Sequence, residues 1–389
     1  MLTKLFKVAP ASTNLFESML EKHFPHLDET LDVHRAFTTN LLLVLGELPA
    51  LMPATLSALV RSLLQIDVSF FFFGKRKRKR DSMRAQQVAV RTEEASMPSG
   101  ARDISRVDEE TTPWGSAGAH LLQVDHLRDR HLHHGASPSI TFMQDLDDLD
   151  SDDDDDVAYA SQMIERTAEE RALFVSTNRQ KLEDAMQQLF RYLHTCSSMP
   201  AQRDTLAVTL LHLFDKHLIR CHRSSTTQFL FFHFAAAFPP FNDRFLGYLY
   251  ATATSPASTH LMRCSAAAYL GSFIARSNTL PAEDISTALY LCAHWANTYL
   301  QQQGASAGST STFASANKMQ TKMTDHAPFY AIVQTVMYIF LFRWRELVHH
   351  DRYMRWWHHS VHGSFQSTLC SALQPLKVLF WSHVESQRA

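Results

Sequence analysis

The chain has 389 residues, enough for two domains or one elongated array, and its 45% hydrophobic content supplies ample core. With 11 glycines and 14 prolines it is too poor in turn formers for an all-β chain of tight hairpins, which points to helices. The net charge of -2 conceals a basic hexamer and a long aspartate run, so the total says nothing about partners while the blocks do.

The start, Met1 to Val8, has lysines but no continuous apolar core, and does not read as a secretory signal. Ordered structure is expected from Asp32 to Val68. In HRAFTTNLLLVLGELPAL, Phe37, Leu41, Val44, Leu45 and Leu48 recur at helical spacing and form one face. Pro49 and Pro53 close that helix and open the next, because proline suits a first turn and not an interior. Leu56, Leu59, Val60, Leu63 and Leu64 repeat the pattern. Two amphipathic helices joined by a few residues make an antiparallel hairpin of about 35 residues, the size of one HEAT-like repeat.

From Ser69 to about Ser161 the period collapses. Phe70 to Phe73 leads into six consecutive basic residues, Lys75, Arg76, Lys77, Arg78, Lys79 and Arg80. A polar stretch follows and ends in DLDDLDSDDDDD at 145–156, with nine aspartates. Runs of like charge repel themselves and bury no core, so 70–161 reads as a disordered insertion between helical regions at 1–69 and 162–389. The basic hexamer fits a nuclear localisation signal read by an importin-type carrier, a sequence-independent contact with nucleic-acid phosphates, or an inert solvated run. The aspartate run fits a site for a basic partner surface, a mimic of nucleic-acid charge, or a solvated linker. Ser151, followed by five acidic residues, suits an acidophilic kinase and is the phosphorylation candidate.

Helical period resumes at Ala168. Leu182, Ala185, Met186, Leu189, Phe190 and Leu193 form one face; Ala207, Leu210, Leu211, Phe214 and Leu218 form the next. Further helices are expected over 228–238, 241–250, 261–276, 282–300 and 328–348, with one more in the tail at 365–385. Residues 301–324 read as a polar loop. Phe229 to Phe241 and Pro328 to Phe342 are the most apolar runs. Both fall short of the roughly 20 apolar residues needed to cross a bilayer, so buried core helices are expected, with no membrane span. No segment alternates long enough for a strand. The reading is an all-α, HEAT-repeat-like solenoid with a long disordered insertion.

Chemistry-bearing motifs are sparse. Gly304 to Gly308 matches the GxSxG nucleophile elbow, but a serine there needs a strained strand-to-helix turn, and this stretch is flanked by glutamines and a Ser/Thr-rich run. The histidine clusters at 131–134 and 349–359 lack the fixed ligand spacing of a zinc site. No P-loop, no GxGxxG before a helix and no CxxC occurs. The five scattered cysteines point to buried thiols in a reducing compartment. The chain therefore reads as a non-enzyme without cofactor or metal.

The stretch AAYLGSFIARSNTLP at 267–281 closely resembles the signature of the RNA polymerase I-specific transcription initiation factors of the TIF-IA family. That signature is similar to A-x-Y-[IL]-[GA]-S-[FY]-[IL]-A-R-A followed shortly by proline. TQFLFFHFAAAF at 227–238, HWANTYL at 294–300, PFYAIVQTVMYIFLFRWREL at 328–347, QPLKVL at 374–379 and the helix pair at 34–68 resemble the family in the same order. The acidic loop between the halves is similar in place and character. The resemblance implies a HEAT-repeat solenoid that binds RNA polymerase I near its stalk and bridges it to the promoter-bound selectivity or core factor at ribosomal DNA. It also implies nuclear and nucleolar action, regulation by phosphorylation, and a homodimer that competes with the polymerase-bound monomer. Direct DNA contact stays open. Family members are longer at both ends. The family's selectivity-factor contact falls on the segment matching Ile274, Ala275, Arg276, Ser277 and Asn278. Ala275 and Arg276 fit the family's run, while Ser277 and Asn278 stand where it has alanine and lysine. The competing reading, a HEAT-type nuclear transport carrier or general scaffold, would call for repeated Trp/Asn pairs along the helices, and these are absent.

Overall fold

The computed structural model describes residues 12–69, 167–221, 224–306, 325–348 and 361–378. Among these, every regular element is helical. The helices are α1 Ser12–His23, α2 Leu31–Glu47, α3 Pro49–Ser69, α4 Ala168–Ser197 and α5 Pro200–Leu213, the last continuing through a π-helical turn, Phe214–Leu218. Then come α6 Phe229–Ala237, α7 Pro240–Thr254, α8 His260–Arg276, α9 Ala282–Ser306, α10 Ala327–Val348 and α11 Gly363–Leu369. The basic hexamer, the aspartate run and Ser151 lie outside the described residues, as do both histidine clusters.

Local chemistry sets the helix starts. Pro49, Pro200 and Pro240 each sit in a first turn, where the missing N–H costs no hydrogen bond. Thr30 and Thr259 cap α2 and α8 by accepting from the Val33 and Met262 amides. Thr167 opens α4 with a full capping box to Glu170.

Helices α7 and α8 pack antiparallel, whereas α2 runs parallel to α4 and α8 parallel to α10; α4 also packs on α6, and α9 closes on α10. This is the helical-repeat arrangement expected from periodicity. One apolar core runs through it and draws residues from both sides of 70–166, including Leu45, Leu59, Leu189, Phe231 and Ile339. Helix α3 is long and apolar enough to cross a membrane by composition, but 78% of its most apolar window is buried, as suits a core helix. The apolar runs in α6 and α10 are likewise core, with Phe231, Phe234, Phe329 and Ile339 all fully buried.

The centre of the core is aromatic. Phe214 meets Phe231, Phe245 and Tyr269 edge-on at centroid distances of 5.2, 4.9 and 5.1 Å. Such edge-to-face pairs add stabilisation beyond buried area. Helix α8 is buried on nearly every side, from Arg263 to Ile274, so it lacks a polar face. At Gly271 a Cβ would come 3.3 Å from Thr335 Cγ2, so the glycine sets how closely α8 and α10 approach. The Thr335 hydroxyl, 2.8 Å from the Ala267 carbonyl, joins the two helices there.

Polar groups stitch the segments that flank 70–166. Asp67, 1% exposed, ends α3 inside the protein. Its Oδ2 accepts from Ser224 Oγ at 2.8 Å and from the Ser225, Thr226 and Thr227 amides at 3.0, 2.8 and 3.0 Å. Thr227 Oγ1 also donates to Oδ2, and Ser225 Oγ donates to Oδ1. Lys181 Nζ donates to the Leu27 carbonyl and to Asn178 Oδ1, and burial lowers its pKa. Arg35 pairs with Asp184 at 2.9 Å. Burial also lowers the pKa of His34, whose Nε2 lies 2.9 Å from the His26 carbonyl.

Several boundaries differ from the sequence expectation. Helix α1 lies before the first expected element, although Leu15, Phe16, Met19 and Leu20 carry helical spacing; Leu20 is buried while Leu15 and Met19 face outward. Helix α9 runs on through Ser306 into the stretch read as a loop, since its three glutamines are good helix formers. The tail helix stops at Leu369, Gln374 at φ 46° breaks the chain, and a new helical turn begins at 375–378.

Candidate functional site

Ile274 to Asn278 form the last turn of α8 and its exit. They do not share one surface. The Ile274 side chain is fully buried, Ala275 and Ser277 are half-buried, and Arg276 and Asn278 are exposed. Ser277 leaves the helix in an extended conformation while its amide still donates to the Phe273 carbonyl at 2.9 Å. Leu280 then re-enters the core ahead of Pro281 and α9.

The turn is held from α10. Arg343 is 5% exposed, and its Nη1 donates to the Ile274 carbonyl at 3.0 Å and to the Ser277 carbonyl. A buried guanidinium thus satisfies carbonyls that a helix end leaves without partners. Glu346 pairs with the same guanidinium.

Arg276 is positioned, though exposed. Its Nη1 donates to Ser272 Oγ at 2.8 Å and to the Tyr338 hydroxyl at 3.2 Å. Its guanidinium lies 6.0 Å from the Phe229 ring centroid. Tyr338 packs on Phe342 at 4.6 Å, and Leu341, Phe342 and Trp344 are exposed at 62, 47 and 40%. Arg345 lies over Trp344 at 5.6 Å. Arg276, Tyr338 and Phe342 thus set an arginine and two aromatic side chains beside the turn, residue types enriched at the energetic centres of protein interfaces. Leu341 and Phe342 depart from the buried-core expectation for Pro328 to Phe342.

Within the described residues neither a metal centre nor a nucleophile elbow forms. No group of three His, Cys, Asp or Glu there could hold a metal ion. Gly304 to Ser306 of the GxSxG match end a helix, which is not the strand-to-helix geometry an elbow requires. Cys264 and Cys292 are buried, and that burial pushes their thiols up to about 12, far from the thiolate form a nucleophile needs. Cys370, by contrast with the expectation of buried thiols, is exposed.

The family model of the RNA polymerase I-specific transcription initiation factor RRN3 matches residues 1–384. The chain is 26% identical over 344 residues to the Schizosaccharomyces pombe RNA polymerase I-specific transcription initiation factor rrn3, covering 87% of this chain and 47% of that protein. It is 30% identical over 169 residues to the Mus musculus RRN3 factor, covering 43% of this chain and 24% of that one. The chain thus spans about half the length, or less, of these relatives. The crystal structure of RNA polymerase I transcription initiation factor Rrn3 superposes with a TM-score of 0.61 at 17% identity, covering all of this chain and 61% of that one, which shows the same helical-repeat fold. The chain belongs to the family of RNA polymerase I-specific transcription initiation factors, RRN3.

Proposed function

We propose that this protein is an initiation factor that binds RNA polymerase I and bridges it to the promoter-bound selectivity or core factor at ribosomal DNA. The observation that carries this reading is the family match over residues 1–384. In physical terms the protein is an adaptor without catalysis: a rigid stack of helices offers one surface to each partner. The selectivity-factor surface is the exposed part of the α8 exit, Arg276 and Asn278, with Ala275 and Ser277 beside them. Ile274 contributes from inside by fixing the turn. The protein acts in the nucleus and nucleolus, and a homodimer competes with the polymerase-bound monomer.

Co-purification from nuclear extract tests the reading. The protein should retain RNA polymerase I and the promoter factor, and retention of neither sinks it. Arg276→Glu should lower promoter-factor capture about tenfold or more, since a charge reversed at an interface both removes a contact and adds repulsion. The same variant should stay folded but lose about 1–2 kcal/mol, through the lost Ser272 and Tyr338 bonds and an acid placed at a helix C-terminus. Unchanged capture would remove this surface from the assignment.

The basic hexamer, Lys75 to Arg80, is the import signal read by an importin-type carrier, and Ser151 is the phosphorylation point in the acidic run. Deleting 75–80 should shift a fluorescent fusion from nucleus to cytoplasm; undiminished nuclear accumulation would reject the signal.

A further inference from the structure

Helices α7 and α9 lie side by side over α8 and leave a groove of about 210 Å³ between them. Leu246, Tyr250, Leu270 and Leu291 give it an apolar lining. Asp243 and Asp284 line the same groove, each in the first turn of its helix. The Tyr250 hydroxyl reaches the Leu291 carbonyl at 3.4 Å further along, so the two helices run in the same direction and both carboxylates fall at one end. Glu283 adds a third negative charge beside them. Two adjacent helix N-termini carry about half a positive unit each, which offsets only part of this charge. Burial, together with the neighbouring Asp243 and Glu283, raises the pKa of Asp284, the mark of like charges crowded at one spot.

Gly247 sits midway along α7, is exposed, and lines the groove. A Cβ there would meet nothing within 4 Å. Glycine inside a helix costs about 0.5–1 kcal/mol relative to alanine, and packing within this chain does not require it. What it provides is room for another backbone to come close to the helix.

We infer that the α7–α9 groove docks a short amphipathic helix of another protein, seating its apolar side chains on Leu246, Tyr250 and Leu291 and a lysine or arginine against Asp243 and Asp284. Charge complementarity fixes the chemistry: an apolar groove with an acidic end takes an apolar segment with a cationic end. None of Ile274 to Asn278 lines the groove, so its use does not depend on that assignment.

The test uses the full chain and a fluorescein-labelled amphipathic peptide of about 15 residues, with leucines at helical spacing and lysines flanking them. A matched peptide carries glutamates in place of the lysines. Fluorescence anisotropy should show the lysine peptide binding the wild-type chain, and the glutamate peptide binding about tenfold more weakly or not at all. Asp243→Asn with Asp284→Asn should weaken the lysine peptide about tenfold, and Gly247→Leu, which fills the groove, should abolish binding. Both variants keep the fold: the carboxylates sit in first turns, and leucine is a better helix former than glycine at an open position. Urea midpoints confirm this. Absence of binding to the wild type, equal binding of both peptides, or binding untouched by the substitutions overturns the inference. Binding that arises only after residues 70–80 are deleted, or only on dilution of a dimer, assigns the groove to this chain itself and also overturns it.

Discussion

Asp67→Ala is expected to lower the stability of the folded chain by about 3–5 kcal/mol, the range for breaking a buried charged network. The reason lies in what remains after the carboxylate goes. The Ser225, Thr226 and Thr227 amides and the hydroxyls around them all point at one spot, and Asp67 is 1% exposed, so water does not replace it there. Each buried donor left without an acceptor costs about 1–3 kcal/mol. Asp67→Asn should fall between alanine and wild type, since it keeps an acceptor oxygen but turns donor groups toward other donors. Urea denaturation followed by circular dichroism measures both. Because the clamp joins the end of α3 to the start of α6, the alanine variant should also expose 224–228 to hydrogen exchange before the rest of the core. A loss under about 1 kcal/mol, or unaltered exchange at 224–228, would refute the clamp.

Phe214→Ala is expected to cost a similar amount, about 3–5 kcal/mol, by a different route. Phe214 is fully buried in a π-helical turn and is ringed by Phe231, Phe245 and Tyr269. Its removal leaves a cavity among rigid rings that belong to α6, α7 and α8. Those helices are held by other contacts, so they cannot collapse inward to fill it. Phe214→Leu should recover part of the loss by returning volume without edge-on geometry. The urea midpoint reads both variants. If the alanine variant unfolds within about 1 kcal/mol of wild type, the aromatic centre is not the part of the core that matters most.

The fold was largely legible because its signal is local. Leu182 to Leu193 and Leu56 to Leu64 carry a helical period that needs no knowledge of what covers it, and short proline-marked connections force antiparallel neighbours. The failures are where local pattern and packing part company. Helix α1 carries a legible stripe, yet only Leu20 of it is buried, while Leu15 and Met19 face outward. Leu341 and Phe342 end an apolar run indistinguishable from core, and only the arrangement of α8 and α10 shows that they are exposed. The candidate turn was located by resemblance to the family, which does not say which of five residues face outward. Ile274 faces inward because it continues the buried side of α8 one turn beyond Leu270. The Asp67 clamp had no signature at all: its partners lie 157 to 160 positions away.

The Arg343 contacts carry a consequence for how the α8 exit can vary. The guanidinium holds the carbonyls of Ile274 and Ser277, which every residue type supplies, and touches neither side chain through those bonds. The path of the backbone at the exit is therefore written 66 to 69 positions downstream, in α10. Residues 277 and 278 can change identity while presenting the same geometry to a partner, so a serine and an asparagine there alter which chemical groups the turn offers and leave intact the direction in which it offers them.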